Sequence, residues 1–136
     1  MNDLALARII ASKFHIGQTY GKNDYMFHLD QVVKSLQWET DERLQVIAML
    51  HDILEDTTCT KEVLYGLFED NVVEAIIAIS KVDGESYQNY IKRVKSNMLA
   101  KTVKMHDTLC NLTESLHRKD MKRVIKYSRQ MEMLAQ

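Results

Sequence analysis

Residues 47–57 read IAMLHDILEDT, and this stretch decides the fold class and the kind of site to expect. Four apolar residues run directly into His51 and Asp52, which end an otherwise apolar helix. Charged side chains in such a place cost free energy unless something compensates their charge. A divalent metal ion is one efficient compensator, because it accepts a neutral imidazole and an ionised carboxylate together. The stretch therefore predicts a buried helix that ends at a metal-binding pair.

The rest of the chain carries apolar residues at helical spacing almost everywhere and shows no sustained alternation, so helices are predicted and strands are not. Proline is absent, and each of the four glycines falls where a helix break is expected. The polar stretch from Gln18 to Asp24 is predicted to be a loop. We predict an all-α, single-domain helical bundle over residues 1–136, with short connections. Its eight helices are expected to begin near Leu4, Tyr25, Asp41, Thr60, Asn71, Ser86, Met98 and Lys119.

Composition and charge exclude several classes of protein. A length of 136 residues fits one domain with a real hydrophobic core. The net charge of −1 lacks the basic footprint of a nucleic-acid-binding domain, so no nucleic-acid partner is expected. The opening residues do not resemble a signal peptide, and no apolar run is long enough for a membrane span. The chain has two cysteines, and we expect both to be reduced in a cytoplasmic protein.

Two further residues are candidates to complete a metal site with His51 and Asp52. Consecutive residues on a helix point about 100° apart, so other helices must supply the remaining ligands. His28 and Asp107 each interrupt a partly apolar pattern and are the natural candidates. An isolated histidine such as His28 is more often a hydrogen-bonded structural or surface residue. That structural interpretation is given to the three other histidines, His15, His106 and His117.

Carboxylates follow the paired ligands at helical spacing. Glu55 and Asp56 each lie four residues after one member of the pair, one helical turn further on. A carboxylate near metal-activated water can take or give a proton during hydrolysis, which makes Glu55 and Asp56 the candidate catalytic residues. Asn111 lies four residues after Asp107, and its neutral amide can bind a ligand hydroxyl without adding charge.

Three motifs together resemble a known family. His15-Ile16-Gly17-Gln18 precedes a tyrosine and the first candidate ligand, Tyr25-Met26-Phe27-His28. Residues 51–57 match the pattern His-Asp-x-x-Glu-Asp-Thr, and residues 104–112 match Lys-hydrophobic-x-Asp-x-x-x-Asn-Leu. The order and spacing resemble the HD superfamily of metal-dependent phosphohydrolases. Within that superfamily they are most similar to the alarmone hydrolases, which remove the 3′-pyrophosphate of (p)ppGpp. The resemblance covers most of the chain, from about Ala7 to Leu112.

The resemblance implies a fold and a role for each matched residue. It implies an HD-type bundle with one divalent metal ion, usually Mn²⁺, and Glu55 and Asp56 beside the attacking water. Asn111 is then expected to contact the nucleotide sugar, and Lys81 to bind phosphate. Arg123 and Tyr127 match a late substrate-contact element, although a solvated basic helix with one half-buried tyrosine is nearly as good an interpretation. Lys104 can likewise be only a surface charge. The implied metal ligands are His28, His51, Asp52 and Asp107.

The sequence departs from this family in the parts that read the substrate. Relatives carry an Arg-Arg-Lys run, of which one arginine stacks on guanine, where this chain has Thr19-Tyr20-Gly21-Lys22. Tyr20 can stack on a base and Lys22 can neutralise phosphate, so both are candidate substrate contacts. Relatives also often have Ala-Asp-Arg in place of residues 106–108.

The function that these patterns favour is a metal-dependent phosphohydrolase acting on a small-molecule nucleotide, with (p)ppGpp or a related alarmone as the leading substrate. The altered Tyr20 region keeps a second alternative open, hydrolysis of another nucleotide or phosphate ester. A third is a binding module that keeps the fold without turnover, but such modules commonly lose a ligand and this chain has all four. A homo-oligomer is left open.

Overall fold

The computed structural model describes residues 2–136, and its elements are predominantly helical. In this range it contains nine α-helices and one short antiparallel hairpin. In chain order these are α1 (Asp3–Phe14), β1 (Thr19–Tyr20), β2 (Asn23–Asp24), α2 (Tyr25–Ser35), α3 (Arg43–Leu50), α4 (Ile53–Asp56), α5 (Lys61–Tyr65), α6 (Asp70–Ile79), α7 (Tyr87–Lys95), α8 (Met98–His117) and α9 (Met121–Ala135). The predicted all-α class is confirmed. Among these residues no helix combines the length and the hydropathy that crossing a membrane requires.

Helix α3 lies at the centre of the fold because its sequence is apolar on nearly every side. Six of its eight residues are buried, namely Leu44 and residues 46–50. A helix that is apolar all round must be covered by other elements. Helices α1, α2, α6 and α8 pack against α3 and provide that cover. The centre of the fold therefore leads straight into His51, the residue at which α3 ends.

Helix α8 is the other central element, with 20 residues that contact α2, α3, α6, α7 and α9. Its buried residues include four polar ones, and buried polar groups require hydrogen-bond partners. The Thr108 hydroxyl finds one in Gln130 Oε1 on α9, at 2.6 Å, and the Ser115 hydroxyl donates to the Asn111 carbonyl at 2.7 Å. The remaining two, Asp107 and Asn111, face the site described below.

The stretch predicted to be a loop contains the β1–β2 hairpin, so the prediction that strands are absent is wrong at this place. Thr19 pairs with Asp24 and Tyr20 pairs with Asn23. Gly21 has a φ of 62°, a left-handed conformation that suits a two-residue hairpin turn and that favours glycine. The hairpin runs directly into α2 and carries Tyr20 to its buried position against that helix.

The helix break at His51 and Asp52 produces α4, a short helix that the sequence did not predict. Asp52 has φ −103° and ψ 0°, so regular helix stops at Leu50 and resumes at Ile53. The backbone N–H of Asp56 still donates to the Asp52 carbonyl at 2.9 Å across the break. The carboxylates of α4 therefore lie one turn beyond the paired ligands, as the spacing predicts.

The two cysteines are both free. Cys59 is buried and Cys110 is partly buried. Burial raises the pKa of each thiol, which disfavours the reactive thiolate. The structure thus contains no disulfide between them, as the sequence predicts.

Candidate metal centre

Four side chains from three places in the chain converge at one point. His28 lies on α2, His51 follows α3, Asp52 precedes α4 and Asp107 lies on α8. Asp107 Oδ1 lies 2.9 Å from His28 Nε2 and 3.3 Å from His51 Nε2. Asp52 Oδ2 lies 3.0 Å from His51 Nε2 and 4.0 Å from His28 Nε2. The structure therefore brings together the four residues that the sequence selects as metal ligands.

The donor set fits a divalent metal ion. His28, His51 and Asp107 are buried, and each offers a ligand atom within 4.8 Å of the other two. His51 Nδ1 lies 2.6 Å from the Ala48 carbonyl, to which it donates, and this hydrogen bond leaves Nε2 as the ligand atom. That Nε2 is buried and faces the carboxylate oxygens of Asp52 and Asp107, at 3.0 Å and 3.3 Å. Imidazole nitrogens combined with carboxylate oxygens suit divalent transition metals, so these residues can hold one.

Lys104 is the main partner of the Asp107 carboxylate. Its Nζ lies 3.2 Å from Asp107 Oδ2, and only 15% of its side chain is exposed. Burial opposes charge on Asp107, but Lys104 and His51 outweigh it and hold the pKa of Asp107 well below its usual range. Burial also opposes charge on Lys104, but Asp107 outweighs it and raises the pKa of the ammonium. The interpretation of Lys104 as a surface charge is therefore wrong, because its ammonium lies beside Asp107 on α8 and 5.8 Å from the ring centroid of Tyr90 on α7.

The pKa values of His51 and Asp52, the two adjacent candidate ligands, are both shifted from their usual values. Burial disfavours the charged form of His51, but the adjacent carboxylates of Asp52 and Asp107 outweigh it and raise the pKa of His51 well above its usual value. Burial also opposes charge on Asp52, while the neighbouring His51 lowers the pKa of that carboxyl. The Tyr25 hydroxyl donates to Asp52 Oδ2, and burial followed by the nearby Asp52 charge raises the pKa of Tyr25. Asp52 is therefore ionised and oriented.

Glu55 and Asp56, the candidate catalytic carboxylates, are each held by one hydrogen bond. Glu55 Oε1 accepts from the backbone N–H of Lys81 at 2.6 Å, which ties α4 to the segment after α6. Partial burial raises the pKa of Glu55, and the charges of Asp52 and Asp56 add to this shift. Asp56 Oδ2 accepts from Gln18 Nε2 at 3.1 Å. A carboxylate with a raised pKa close to a cluster that can hold a metal ion is suited to proton transfer.

Tyr20 and Asn111, predicted to contact substrate, contact each other. The Tyr20 hydroxyl donates to Asn111 Oδ1 at 2.6 Å, and Asn111 Nδ2 donates to Asp107 Oδ1 at 3.1 Å. The Tyr20 ring stacks on His28 with centroids 4.5 Å apart, and the Arg118 guanidinium lies over the ring at 5.3 Å. Stacking of a base on Tyr20 therefore requires Arg118 to move away. Burial raises the pKa of Tyr20 to about 12, so the hydroxyl keeps its proton.

The other residues predicted to contact substrate differ in how close they lie to the His/Asp cluster. Arg123 and Tyr127 are close enough to Tyr20 to shift its pKa, and the Arg123 guanidinium lies 5.5 Å from the Tyr127 ring centroid. Lys81 reaches the centre through its backbone bond to Glu55, while its side chain is exposed. Lys22 is exposed in the hairpin turn, and no ion pair within residues 2–136 involves it.

Three contacts of the site escaped the sequence analysis: Gln18 on Asp56, Tyr25 on Asp52 and Arg118 on Tyr20. Gln18 and Tyr25 belong to the opening motif of residues 15–28. Their membership of that motif was the signal that could have identified them as contacts of Asp56 and Asp52. Arg118 carries no comparable signal. It reaches the site because α8 ends beside the hairpin, where a Cβ on Gly21 would lie 2.2 Å from Arg118 Nη2.

The fold and the site together define the class: an all-α protein with a buried His/Asp cluster that can hold a metal ion. No family model matches the chain. The bifunctional (p)ppGpp synthase/hydrolase SpoT of Escherichia coli is 33% identical over 82 residues, which are 59% of this chain and 12% of that protein. The guanosine-3′,5′-bis(diphosphate) 3′-pyrophosphohydrolase of Haemophilus influenzae is 28% identical over 115 residues, 80% of this chain and 17% of its own length. The chain thus spans about an eighth of the length of the first curated relatives that it matches.

A solved structure, described as a metazoan ortholog of SpoT that hydrolyzes ppGpp, shares the fold. It superposes with a TM-score of 0.82 at 21% identity, covering 98% of this chain and 86% of its own. These comparisons confirm the predicted resemblance to the (p)ppGpp 3′-pyrophosphohydrolases. The matching region in the curated relatives is a small part of each, and the structural match extends over nearly the whole of this chain.

Proposed function

We propose that this chain is an HD-type, metal-dependent phosphohydrolase that removes pyrophosphate from the 3′ position of (p)ppGpp or a related alarmone. The observation that carries the proposal is the buried cluster of His28, His51 and Asp107 with Glu55 one turn beyond it. The names of the curated relatives and the shared fold support the substrate class. The predicted cytoplasmic location stays a prediction, and a homo-oligomer stays open.

The cluster is proposed to bind one ion, Mn²⁺, through His28, His51, Asp52 and Asp107. Mixed imidazole and carboxylate ligands accept Mn²⁺ among several divalent metals, so availability contributes to the choice. A divalent cation bound there supplies positive charge that polarises a phosphoryl oxygen and lowers the pKa of water. Lys104 holds Asp107 Oδ2 and the Tyr25 hydroxyl holds Asp52 Oδ2, so both carboxylates are oriented before the metal binds.

Glu55 is proposed as the general base of the reaction. In 3′-pyrophosphohydrolysis a water oxygen bonds to the phosphorus attached to the sugar 3′ oxygen, and the bond between that phosphorus and the 3′ oxygen breaks. The water loses a proton and the departing 3′ oxygen gains one. Glu55 has a raised pKa and a fixed orientation on the Lys81 N–H, which suit it to accept the first proton. Asp56, held by Gln18, is proposed to position the water.

The phosphate groups of the substrate are proposed to meet the cations around the centre. The side chain of Lys81 is exposed beside the segment that holds Glu55. Arg123 and Tyr127 lie near Tyr20, and Lys22 lies in the adjacent hairpin turn. Asn111 is proposed to contact the sugar once Tyr20 releases its amide oxygen. Among these residues, Arg123 suits phosphate binding because the planar guanidinium of arginine binds two phosphate oxygens at once.

The position of Tyr20 favours a second candidate function. This function is hydrolysis of a phosphate ester that is smaller than a guanine nucleotide or chemically different from one. Tyr20 occupies the acceptor of Asn111, and His28 and Arg118 cover its ring. Unless Tyr20 moves, a nucleoside group has neither a free Asn111 oxygen nor an exposed aromatic face. The metal centre and the two carboxylates are the same in both candidate functions.

A substrate panel tests the proposal. Metal-free protein is loaded with Mn²⁺ and incubated with ppGpp, GTP, nucleoside monophosphates and a simple phosphodiester, and release of phosphate and pyrophosphate is measured. Pyrophosphate release from ppGpp alone is expected, and His51→Ala/Asp52→Ala should abolish it. Glu55→Gln should lower kcat by about 10²–10⁴-fold, while Glu62→Gln on the exposed side of α5 serves as the matched control. Turnover of another substrate but not ppGpp replaces the first candidate with the second, and turnover of none contradicts both.

A further inference from the structure

His15 is a buried histidine outside the predicted metal site that makes one specific hydrogen bond. It caps the C-terminus of α1, is 1% exposed, and places Nδ1 2.7 Å from Gln18 Oε1. Gly17, with φ 84°, provides the left-handed residue that returns the chain so that the Gln18 N–H donates to the His15 carbonyl at 2.9 Å. The turn therefore locks the two side chains against each other.

The hydrogen-bond partners fix the orientation of the Gln18 amide and the tautomer of His15. The Asp56 carboxylate can only accept, so the group 3.1 Å away must be the Gln18 amide nitrogen. The amide oxygen then faces His15, and Nδ1 of the imidazole must carry a proton to donate to it. His15, Gln18 and Asp56 thus form a directed chain in which each donor points towards the candidate catalytic carboxylate.

The other contacts of His15 do not require a nitrogen atom. The Nδ1–H donor is therefore the property that distinguishes His15 from a plain aromatic ring at this position. The imidazole stacks on Tyr25 with centroids 4.9 Å apart and 27° between planes, a contact that phenylalanine can also make. Its Nε2 is buried and has no hydrogen-bond partner within residues 2–136. Burying an unpaired ring nitrogen is unfavourable, so packing alone favours a carbon ring here.

We infer that His15 is a positioning residue, which fixes the Gln18 amide so that Gln18 holds Asp56 Oδ2 and leaves the other carboxylate oxygen free to orient water. The catalytic consequence rests on the proposed hydrolase function, while the hydrogen-bond chain does not. Side chains that orient an active-site group through a hydrogen bond change activity by about 10–100-fold when removed. His15 acts on the reaction through two other residues and touches no substrate.

Two substitutions separate the donor from the ring. His15→Phe keeps the stacking on Tyr25 and removes the donor, so kcat should fall by about 10–100-fold with little change in KM or metal affinity. His15→Asn places an amide N–H near the position of Nδ1 and should restore most of that loss. Gln18→Ala should lower kcat as much as His15→Phe does, and the double variant should lower it no further, because both act on Asp56 through one chain.

The decisive experiment combines these kinetics with NMR of the Gln18 side-chain amide in the metal-free full chain. In the wild type one amide proton should be shifted and protected from exchange by its bond to Asp56. His15→Phe should remove that protection and His15→Asn should retain it. Unchanged Gln18 signals in His15→Phe overturn the inference, and so does an unchanged kcat. If the wild type turns over no phosphate ester, the proposed function fails and the NMR result alone decides the positioning chain. Titration with Mn²⁺ by calorimetry separates a loss of metal from a loss of positioning.

Discussion

Replacement of Lys104 by methionine tests whether the Lys104 ammonium compensates the buried charge of the Asp107 carboxylate. Lys104 Nζ lies 3.2 Å from Asp107 Oδ2, and their side chains are only 15% and 5% exposed. At an effective dielectric constant of about 20, this separation corresponds to roughly 5 kcal/mol of attraction. Methionine keeps most of the volume and removes the cost of burying an ammonium, so the net loss of stability should be smaller. We expect about 3 kcal/mol, or roughly 10 °C in Tm, for the metal-free protein.

The assay is urea denaturation followed by circular dichroism, since Trp38 is 87% exposed and reports poorly on the core. Lys101→Met on the same helix is the matched control, because Lys101 forms no ion pair in residues 2–136 and should change stability little. Metal-loaded Lys104→Met should lose less than the metal-free variant, because a bound cation also balances the Asp107 charge. A loss below about 1 kcal/mol in the metal-free variant would refute the reasoning that Lys104 compensates a buried charge.

Four further predictions concern individual contacts of the site. The raised pKa of His51 stabilises the metal-free fold below the unfolded-state pKa of about 6.5, and this contribution is lost as pH rises through the folded-state pKa, so the urea midpoint should fall as the pH is raised above about 6.5. For the same reason metal binding at pH 7 should release protons, which calorimetry in buffers of different ionisation enthalpy counts; zero release contradicts the protonation of His51 in the metal-free protein. Arg93→Ala removes the side chain that bonds three carbonyls at the end of α6, so the segment that anchors Glu55 should loosen and kcat should fall about 10-fold in steady-state assays. Tyr20→Phe removes the buried hydroxyl bond to Asn111 and should cost about 1 kcal/mol in urea denaturation; a more stable variant would show that the bond is not stabilising.

Most of the helices and the four candidate metal ligands could be selected from the sequence, because both depend on local patterns. Apolar spacing gives the helix phase, and α3 is apolar enough that a histidine and an aspartate at its end require an unusual explanation. His28 and Asp107 stood out in the same way, as polar residues in otherwise apolar turns. All four side chains meet in the structure within hydrogen-bonding or near-contact distance.

The remaining features depend on contacts between segments far apart in the chain. Lys104 looks solvated from its sequence neighbours, and only the packing of α7 and α8 shows that it is enclosed beside Asp107. Tyr20 looks available for stacking until Asn111, 91 residues later, accepts its hydroxyl. The hairpin that carries Tyr20 has only two residues per strand, too few for an alternating pattern to be visible.

The most direct test of the central claim is to titrate the metal-free protein with Mn²⁺ while pyrophosphate release from ppGpp is measured. We expect no release without metal, a linear rise in rate, and saturation at one Mn²⁺ per chain, with His28→Ala and Asp107→Ala abolishing both binding and release. Full activity in the metal-free protein, or saturation that is unaffected by those two substitutions, would contradict the assignment of this cluster as the catalytic metal centre.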